Sequence, residues 1–285
     1  MHAGWILLAV TAPTTGYAYL DGDDGTAGDR SGVLAFAHRG GAFHPEIEGL
    51  ENTMAAFEHA VALGYDYLET DVHVTRDGVL LAFHDSVLDR VTDARGAIAD
   101  LTAEEVRRAL VGGREEVPRF DTLVERFPQA RFNVDLKADG AVAPLAALVA
   151  EKGLRDRLLV GSFSTKRLNA FRRLAPGVPT SATPLEVALF RFLPSGRLAD
   201  VLTRHRVAAL QVPHRRGRLR LVTPGTVRRA HRAGKHVHVW TIDDPDEMRE
   251  LLDRGVDGLF TDRTDLLRDV LTERDQWPDE SKDTP

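Results

Sequence analysis

Two periods of apolar and polar positions run along the chain, and the clearer one lies in residues 68–85. There Leu68, Thr70 and Val72 share one face of an extended strand, while Glu69, Asp71 and His73 share the other. Asp77-Gly78 interrupts the alternation with the dipeptide favoured in two-residue hairpin turns, where positive φ is required. A turn at that point pairs Arg76 with Val79 and sets Asp71 opposite His84. Residues 131–137 alternate in the same way, with Asn133, Asp135 and Lys137 on one face and Val134 and Leu136 on the other. A strand with so polar an inward face packs poorly and marks a candidate site.

Shorter apolar runs predict strands at 33–37, 158–163, 179–182, 207–213, 236–241 and 257–260. Helical patterns fall between them. One opens at Glu51-Asn52-Thr53, with Asn52 or Thr53 as its cap, and ends at Gly64; another has Pro224 in its first turn and Gly234 after its end. If residues 79–84 form a hairpin arm returning to the rim, eight strands alternate with helices. That pattern predicts an α/β fold, a single (β/α)8 TIM-type barrel with a hairpin excursion after strand two. An open doubly wound sheet fits less well, because no glycine-rich dinucleotide fingerprint follows the first strand. Residues 86–118 form a long insertion, helical near 103–110, that starts at the rim and is expected to cover it as a lid. The barrel then spans 33–272, after a loosely ordered lead at 1–32 and before a polar tail at 273–285.

Composition narrows the class without deciding it. A formal charge of −6 argues against a nucleic-acid partner, and the absence of cysteine excludes disulfides and thiolate metal sites. The apolar run at 5–10 has no Lys or Arg before it and is too short to span a bilayer. A cytoplasmic protein is expected, with membrane association or export as the alternative. Residues 204–235 are crowded with Arg and His, which reads as a solvated helix face ahead of an anionic-lipid surface. Membrane contact is thus not indicated, and the sequence is silent on oligomeric state.

The chemistry gathers at predicted strand ends, where barrel active sites lie. His38-Arg39 ends strand one, Glu69 and Asp71 belong to strand two, Asp135 and Lys137 to strand three, and Trp240-Thr241 to strand seven. The hairpin returns His84 to the same level. Three carboxylates at one rim repel unless a cation lies among them, and hard oxygen donors suit one Mg²⁺ or Ca²⁺ better than Zn²⁺. A structural ion network with Arg39 and Lys137 is the competing reading. Arg39 and Lys137 supply charge for a phosphate, and His38 and His84 can serve as general acid and base near neutral pH. Together these groups suggest phosphoryl transfer at a diester. Trp240 and Phe163 read as walls or packing, His238 as a core histidine, and His44 and His73 stand outside the chemistry.

His38-Arg39-Gly40, Glu51-Asn52-Thr53, Glu69-Thr70-Asp71, the Asp77-Gly78 turn, His84-Asp85, Asp135-Leu136-Lys137 and Trp240-Thr241 stand in an order that resembles glycerophosphodiester phosphodiesterases. The resemblance implies a barrel enzyme that hydrolyses small-molecule glycerophosphodiesters to glycerol 3-phosphate and an alcohol. It implies His38 and His84 as the catalytic pair, Arg39 and Lys137 as phosphate contacts, Glu69 and Asp71 as metal ligands and Glu51 as a further site carboxylate. The sequence departs from the family pattern at three points. Asp135 replaces the usual Glu ligand, four residues separate Pro45-Glu46 from Glu51 so that Glu46 competes for its role, and Asp243 replaces an Asn. A lysophospholipid-specific enzyme, a cyclic-phosphate-forming lyase and a non-catalytic binding barrel are the alternatives. The charged, interrupted 103–110 stretch favours short, water-soluble diesters.

Overall fold

The computed structural model describes residues 12–22 and 32–277. Eight strands are named here: β1 (Leu34–Ala37), β2 (Tyr67–Val74), β3 (Leu80–Ala82), β4 (Arg131–Leu136), β5 (Leu158–Gly161), β6 (Ala209–Pro213), β7 (His236–Trp240) and β8 (Gly258–Thr261). Seven of them pair in parallel in the order β5-β4-β2-β1-β8-β7-β6, and β3 pairs antiparallel with β2. Residues 179–182 close the ring between β5 and β6. Val160 pairs with Thr180 and Ser181 with Ala209, both in parallel, and Ala182 N donates to Ala209 O at 2.9 Å. The expected (β/α)8 barrel is therefore present, with one stave reduced to bridges. Pro179 and Pro184 flank that stave and have no N–H to extend its ladder.

The outer helices are α1 (Met54–Ala62), α2 (Phe120–Arg126), α3 (Val142–Lys152), α4 (Thr165–Leu174), α5 (Pro184–Phe192), α6 (Gly196–Leu202), α7 (Pro224–His231), α8 (Pro245–Asp253) and α9 (Thr264–Glu273). Local chemistry sets their starts. Thr53 caps α1 by accepting from Ala56 N, a Thr183–Glu186 capping box opens α5, and proline occupies the first turn of α5, α7 and α8. Leu68 and Val72 of β2 and Phe132, Val134 and Leu136 of β4 pack outward against Phe57, Leu123 and Leu145 from the helices. No helix among the described residues is long and apolar enough to cross a membrane.

Inside the barrel Phe36 stacks on Phe260 with ring centroids 4.2 Å apart. Tyr19 and Leu20 plug the N-terminal ends of the strands: the Tyr19 ring meets Tyr67 edge-on at 5.3 Å, and Tyr67 Oη donates to Tyr19 O at 2.7 Å. Asp21 folds this segment by accepting from Thr15 N at 2.9 Å and Gly16 N at 2.6 Å. Residues 12–22 are thus packed, against the expectation of a loose lead, while the apolar run at 5–10 lies outside the described residues. At the other end Trp277 packs on Tyr65 at 5.0 Å, and residues 278–285 of the tail lie outside the described residues.

Two further expectations need correction. The hairpin register is Val72↔Ala82, His73↔Leu81 and Val74↔Leu80, so Asp71 faces Phe83 rather than His84. Its loop has three residues, Arg76 to Gly78. Thr75 Oγ1 donates to Asp77 Oδ1 at 2.6 Å and accepts from Val79 N at 3.0 Å, and of the two turn residues only Gly78 takes positive φ, at 86°. Residues 86–118 form no lid. They build a separate small core from Leu88, Ile98, Val106, Val111 and Val117 against Leu81 and Phe83. Their helix is a single turn, Ala103–Val106, and Gly112 and Gly113, both at positive φ, turn the chain between the strand pair Leu110–Val111 and Glu115–Glu116.

Candidate active site

The chain leaves β1 through one tight turn, His38–Gly40, with Arg39 at φ 50°. Gly40 has φ 85°, and a Cβ there would stand 2.7 Å from Ala56 Cβ, so the turn seats directly on α1. This geometry aims both the His38 and Arg39 side chains at the rim. His38 Nδ1 lies 2.8 Å from Asp262 Oδ1, just beyond β8, and its Nε2 lies 3.8 Å from Glu69 Oε2. Asp243 Oδ1 fixes that corner by accepting from Asp262 N at 2.8 Å and Thr261 Oγ1 at 3.0 Å. Burial pulls the His38 imidazole toward lower pKa, but the Glu69 and Asp262 carboxylates outweigh it and leave His38 above its ordinary value.

His84 has a matching partner: its Nδ1 lies 2.5 Å from Asp85 Oδ1. From there, charges alternate across the rim. Arg90 Nε meets Asp85 Oδ2 at 2.6 Å, and its Nη atoms reach both Glu51 oxygens at 2.6 and 2.8 Å. Glu51 Oε1 meets Arg39 at 3.2 Å, Arg39 Nε lies 3.3 Å from Asp71 Oδ2, and Lys137 Nζ sits 2.9 Å from Asp71 and 2.8 Å from Asp135. Burial alone would raise Asp71; Lys137 and Arg39 overcome it and hold the carboxyl below its usual range. Glu69 lies at the opposite extreme, with burial first and then Asp71 pushing its carboxyl up to about 7.

A cavity of about 680 Å³ opens at this rim, lined by His38, Arg39, Glu69, Asp71, His84, Asp135, Lys137 and Trp240 among others. Glu51 is the one predicted site residue absent from its walls, because its carboxylate is taken up by Arg39 and Arg90. Glu46 pairs instead with His59 and is largely exposed, so the two glutamates are distinguished by geometry. Gln211, donating to Asn133 Oδ1 at 2.6 Å, and His238 beneath it form the floor. Phe163 meets Trp240 edge-on at 5.9 Å, and Pro184, Val187, Ala188 and Phe192 of α5 extend an apolar wall. No residue of 86–118 lines the cavity, so the expectation that this segment selects water-soluble diesters loses its basis.

As the side chains stand, no group of three His, Asp or Glu among the described residues is arranged as a ready metal cage. Two observations nevertheless fit a hard cation. Asp135 Oδ1 is buried without a hydrogen-bond partner, and Glu69 is a buried carboxylate crowded by a second one.

Several residues of the site escape sequence reasoning. Asp262 supports His38, backed by the Asp243 that the sequence marks only as a replacement for Asn, and Arg90 ties Asp85 to Glu51. Asn52, at φ 58°, donates to Asp71 Oδ2 at 3.2 Å and accepts from Thr70 Oγ1 at 2.7 Å. The available signal is position: Thr261-Asp262 ends a strand as Ala37-His38 does. His73 supports the site as well, its Nε2 lying 3.1 Å from the His84 carbonyl.

Comparison with known proteins agrees with this geometry. Residues 38–266 match the model of the glycerophosphoryl diester phosphodiesterase family. The chain is 40% identical over 249 residues to the Mycobacterium tuberculosis protein named "Probable glycerophosphodiester phosphodiesterase 2", covering 86% of this chain and 93% of that one. A crystal structure of a glycerophosphodiester phosphodiesterase from Agrobacterium tumefaciens is similar at a TM-score of 0.67 and 28% identity, over 82% of this chain and 99% of that one. An Oleispira antarctica phosphodiesterase, solved with the product sn-glycerol-3-phosphate, shares the fold at a TM-score of 0.69 and 23% identity, over 85% of this chain and 97% of that one. A rim that pairs two carboxylate-held histidines with an arginine and a lysine, on a chain matched over this length, makes it a phosphodiester hydrolase and a member of the glycerophosphoryl diester phosphodiesterase family.

Proposed function

We propose that His38 and His84 act as the acid–base pair in hydrolysis of a glycerophosphodiester to glycerol 3-phosphate and an alcohol. The observation carrying this is that each imidazole has a carboxylate on Nδ1, at 2.8 and 2.5 Å, while both rings line one cavity. A carboxylate on Nδ1 fixes the tautomer and leaves Nε2 free to exchange a proton with substrate. One histidine takes a proton from the attacking oxygen, and the other gives one to the departing alkoxide as its bond to phosphorus breaks. Lys137 and Arg39 offset the developing charge on the phosphate oxygens. Trp240 and Phe163 give the alcohol an apolar wall.

A single divalent cation, Mg²⁺ or Ca²⁺, fits the donors Glu69, Asp71 and Asp135, and when bound it supplies electrostatic stabilisation of the phosphoryl oxygens. The orphan Asp135 oxygen supports this part of the reading.

Release of glycerol 3-phosphate from a panel of glycerophosphodiesters tests both parts. Chelation is expected to abolish release and added Mg²⁺ or Ca²⁺ to restore it, with a rise in thermal midpoint on metal addition that Asp135→Asn lacks. His38→Ala and His84→Ala should each lose about 10²–10⁴-fold in rate without loss of fold. Full activity after chelation would remove the metal, and a near-normal rate in either variant would remove that histidine. Accumulation of a cyclic phosphate in place of glycerol 3-phosphate would make the enzyme a lyase.

A further inference from the structure

Six of the eleven large hydrophobic side chains exposed among the described residues fall between residues 185 and 219. Helix α5 carries Leu185, Ala188 and Phe192 along one stripe, with Leu185 63% and Phe192 68% exposed. Ala188 and Phe192 line the catalytic cavity, and Leu185 continues the stripe outside it. Beside it stands a hairpin of Arg215–Arg216 and Leu219–Arg220, whose Arg216 and Leu219 also reach the cavity. Arg215, Arg216, Arg218 and Arg220 are all exposed. None has an ion pair with any described residue, whereas Arg172 on α4, Arg119 and Arg263 are each held by a carboxylate.

A single exposed leucine is ordinary on a protein surface. Here exposed aromatic and aliphatic groups at the cavity mouth adjoin four arginines without counter-charges, and the two features select the same occupant. We propose that the rim made of α5 and the 215–220 hairpin docks on an anionic phospholipid bilayer, its apolar side chains entering the acyl boundary and its arginines meeting lipid phosphates. Self-association through this rim would set arginine against arginine, and a hydrophilic polyanion would leave the apolar stripe unpaired. Docking in this way turns the mouth of the cavity toward the lipid. The surface adds to the hydrolase reading without depending on it, because adsorption is measured without turnover.

The test is co-sedimentation of the full chain with vesicles of phosphatidylglycerol and phosphatidylcholine in equal parts, against phosphatidylcholine alone. Binding is expected to the mixed vesicles, at least about tenfold weaker to phosphatidylcholine alone, and to fall as salt rises. Arg218→Glu/Arg220→Glu should weaken it by about 25-fold or more, at about fivefold for each of the two arginines lost, and Leu185→Ser should weaken it several-fold. None of these three residues lines the cavity, so kcat/KM for glycerophosphoethanolamine should stay within about twofold of the parent protein. Absence of vesicle binding, or binding indifferent to the arginine variant, overturns the proposal. A dimer that Leu185→Ser dissociates, without vesicle binding, reassigns the face to self-association and overturns it too. Vesicle binding by a protein inactive on every diester would fail the hydrolase reading alone.

Discussion

Asp262 does for His38 what Asp85 does for His84, although the second pair is adjacent in sequence and the first joins opposite ends of the chain. A third histidine shows how differently burial treats the same side chain. His238 lies fully buried between Phe36, at 4.9 Å, and Phe260, with the His236 ring 5.6 Å away and Gln211 as its only hydrogen-bond partner among the described residues. Burial, reinforced by His236, holds its pKa well below the ordinary 6.5. The folded state therefore resists a proton that the unfolded chain accepts. Stability is full above pH 6.5 and is lost as the pH falls from there toward the folded value. Relative to pH 8, His238→Gln should lose less unfolding free energy than the parent at pH 5.5, by about 1–2 kcal/mol. Urea titrations of both proteins at the two pH values check this, and equal losses would show that His238 is protonated in the fold.

At the scale of elements, the 86–118 segment works as a buttress. Its small core holds Arg90 where one guanidinium grips both Asp85 and Glu51, and through them braces His84 and Arg39. Arg90 lines no part of the cavity and is a positioning residue. Arg90→Ala should lower kcat by about 10–100-fold with little change in KM or thermal midpoint. Arg90→Lys should not rescue it, because an ammonium cannot present the two-pronged contact. A rise in KM alone would place Arg90 on the substrate instead. The barrel is legible because two strands alternate with period two, six more are short apolar runs set between helical patterns, and several end in polar clusters. The 86–118 segment was misread because its length announces an unusual element without saying what its apolar residues pack against; they pack on one another. The hairpin slipped one residue because the Thr75 side chain captures the turn, a local contact that the Asp-Gly signal does not include. Asp262 stayed hidden for a topological reason. It meets His38 across 224 positions of sequence, and only closure of the ring makes β8 a neighbour of β1.

For the whole molecule, the plug at the N-terminal ends of the strands matters as much as the rim. Tyr19 fills the space against Tyr67 and Leu34 and is fully buried, so Tyr19→Ala should cost about 3–5 kcal/mol, the range for deleting a buried aromatic ring. Chemical denaturation measures it, and a loss below about 1 kcal/mol would show that the barrel is stable without its plug. The sealed floor also governs traffic. With Phe36, Phe260 and Tyr19 filling the interior, whatever enters at the rim must leave by the same opening. If Arg39 and Lys137 hold the phosphate as proposed, glycerol 3-phosphate departs through the path of the next substrate and occupies the same charges on its way. Such an enzyme slows as its own product accumulates: inhibition by glycerol 3-phosphate should be competitive with the diester, and progress curves should bend well before substrate is exhausted.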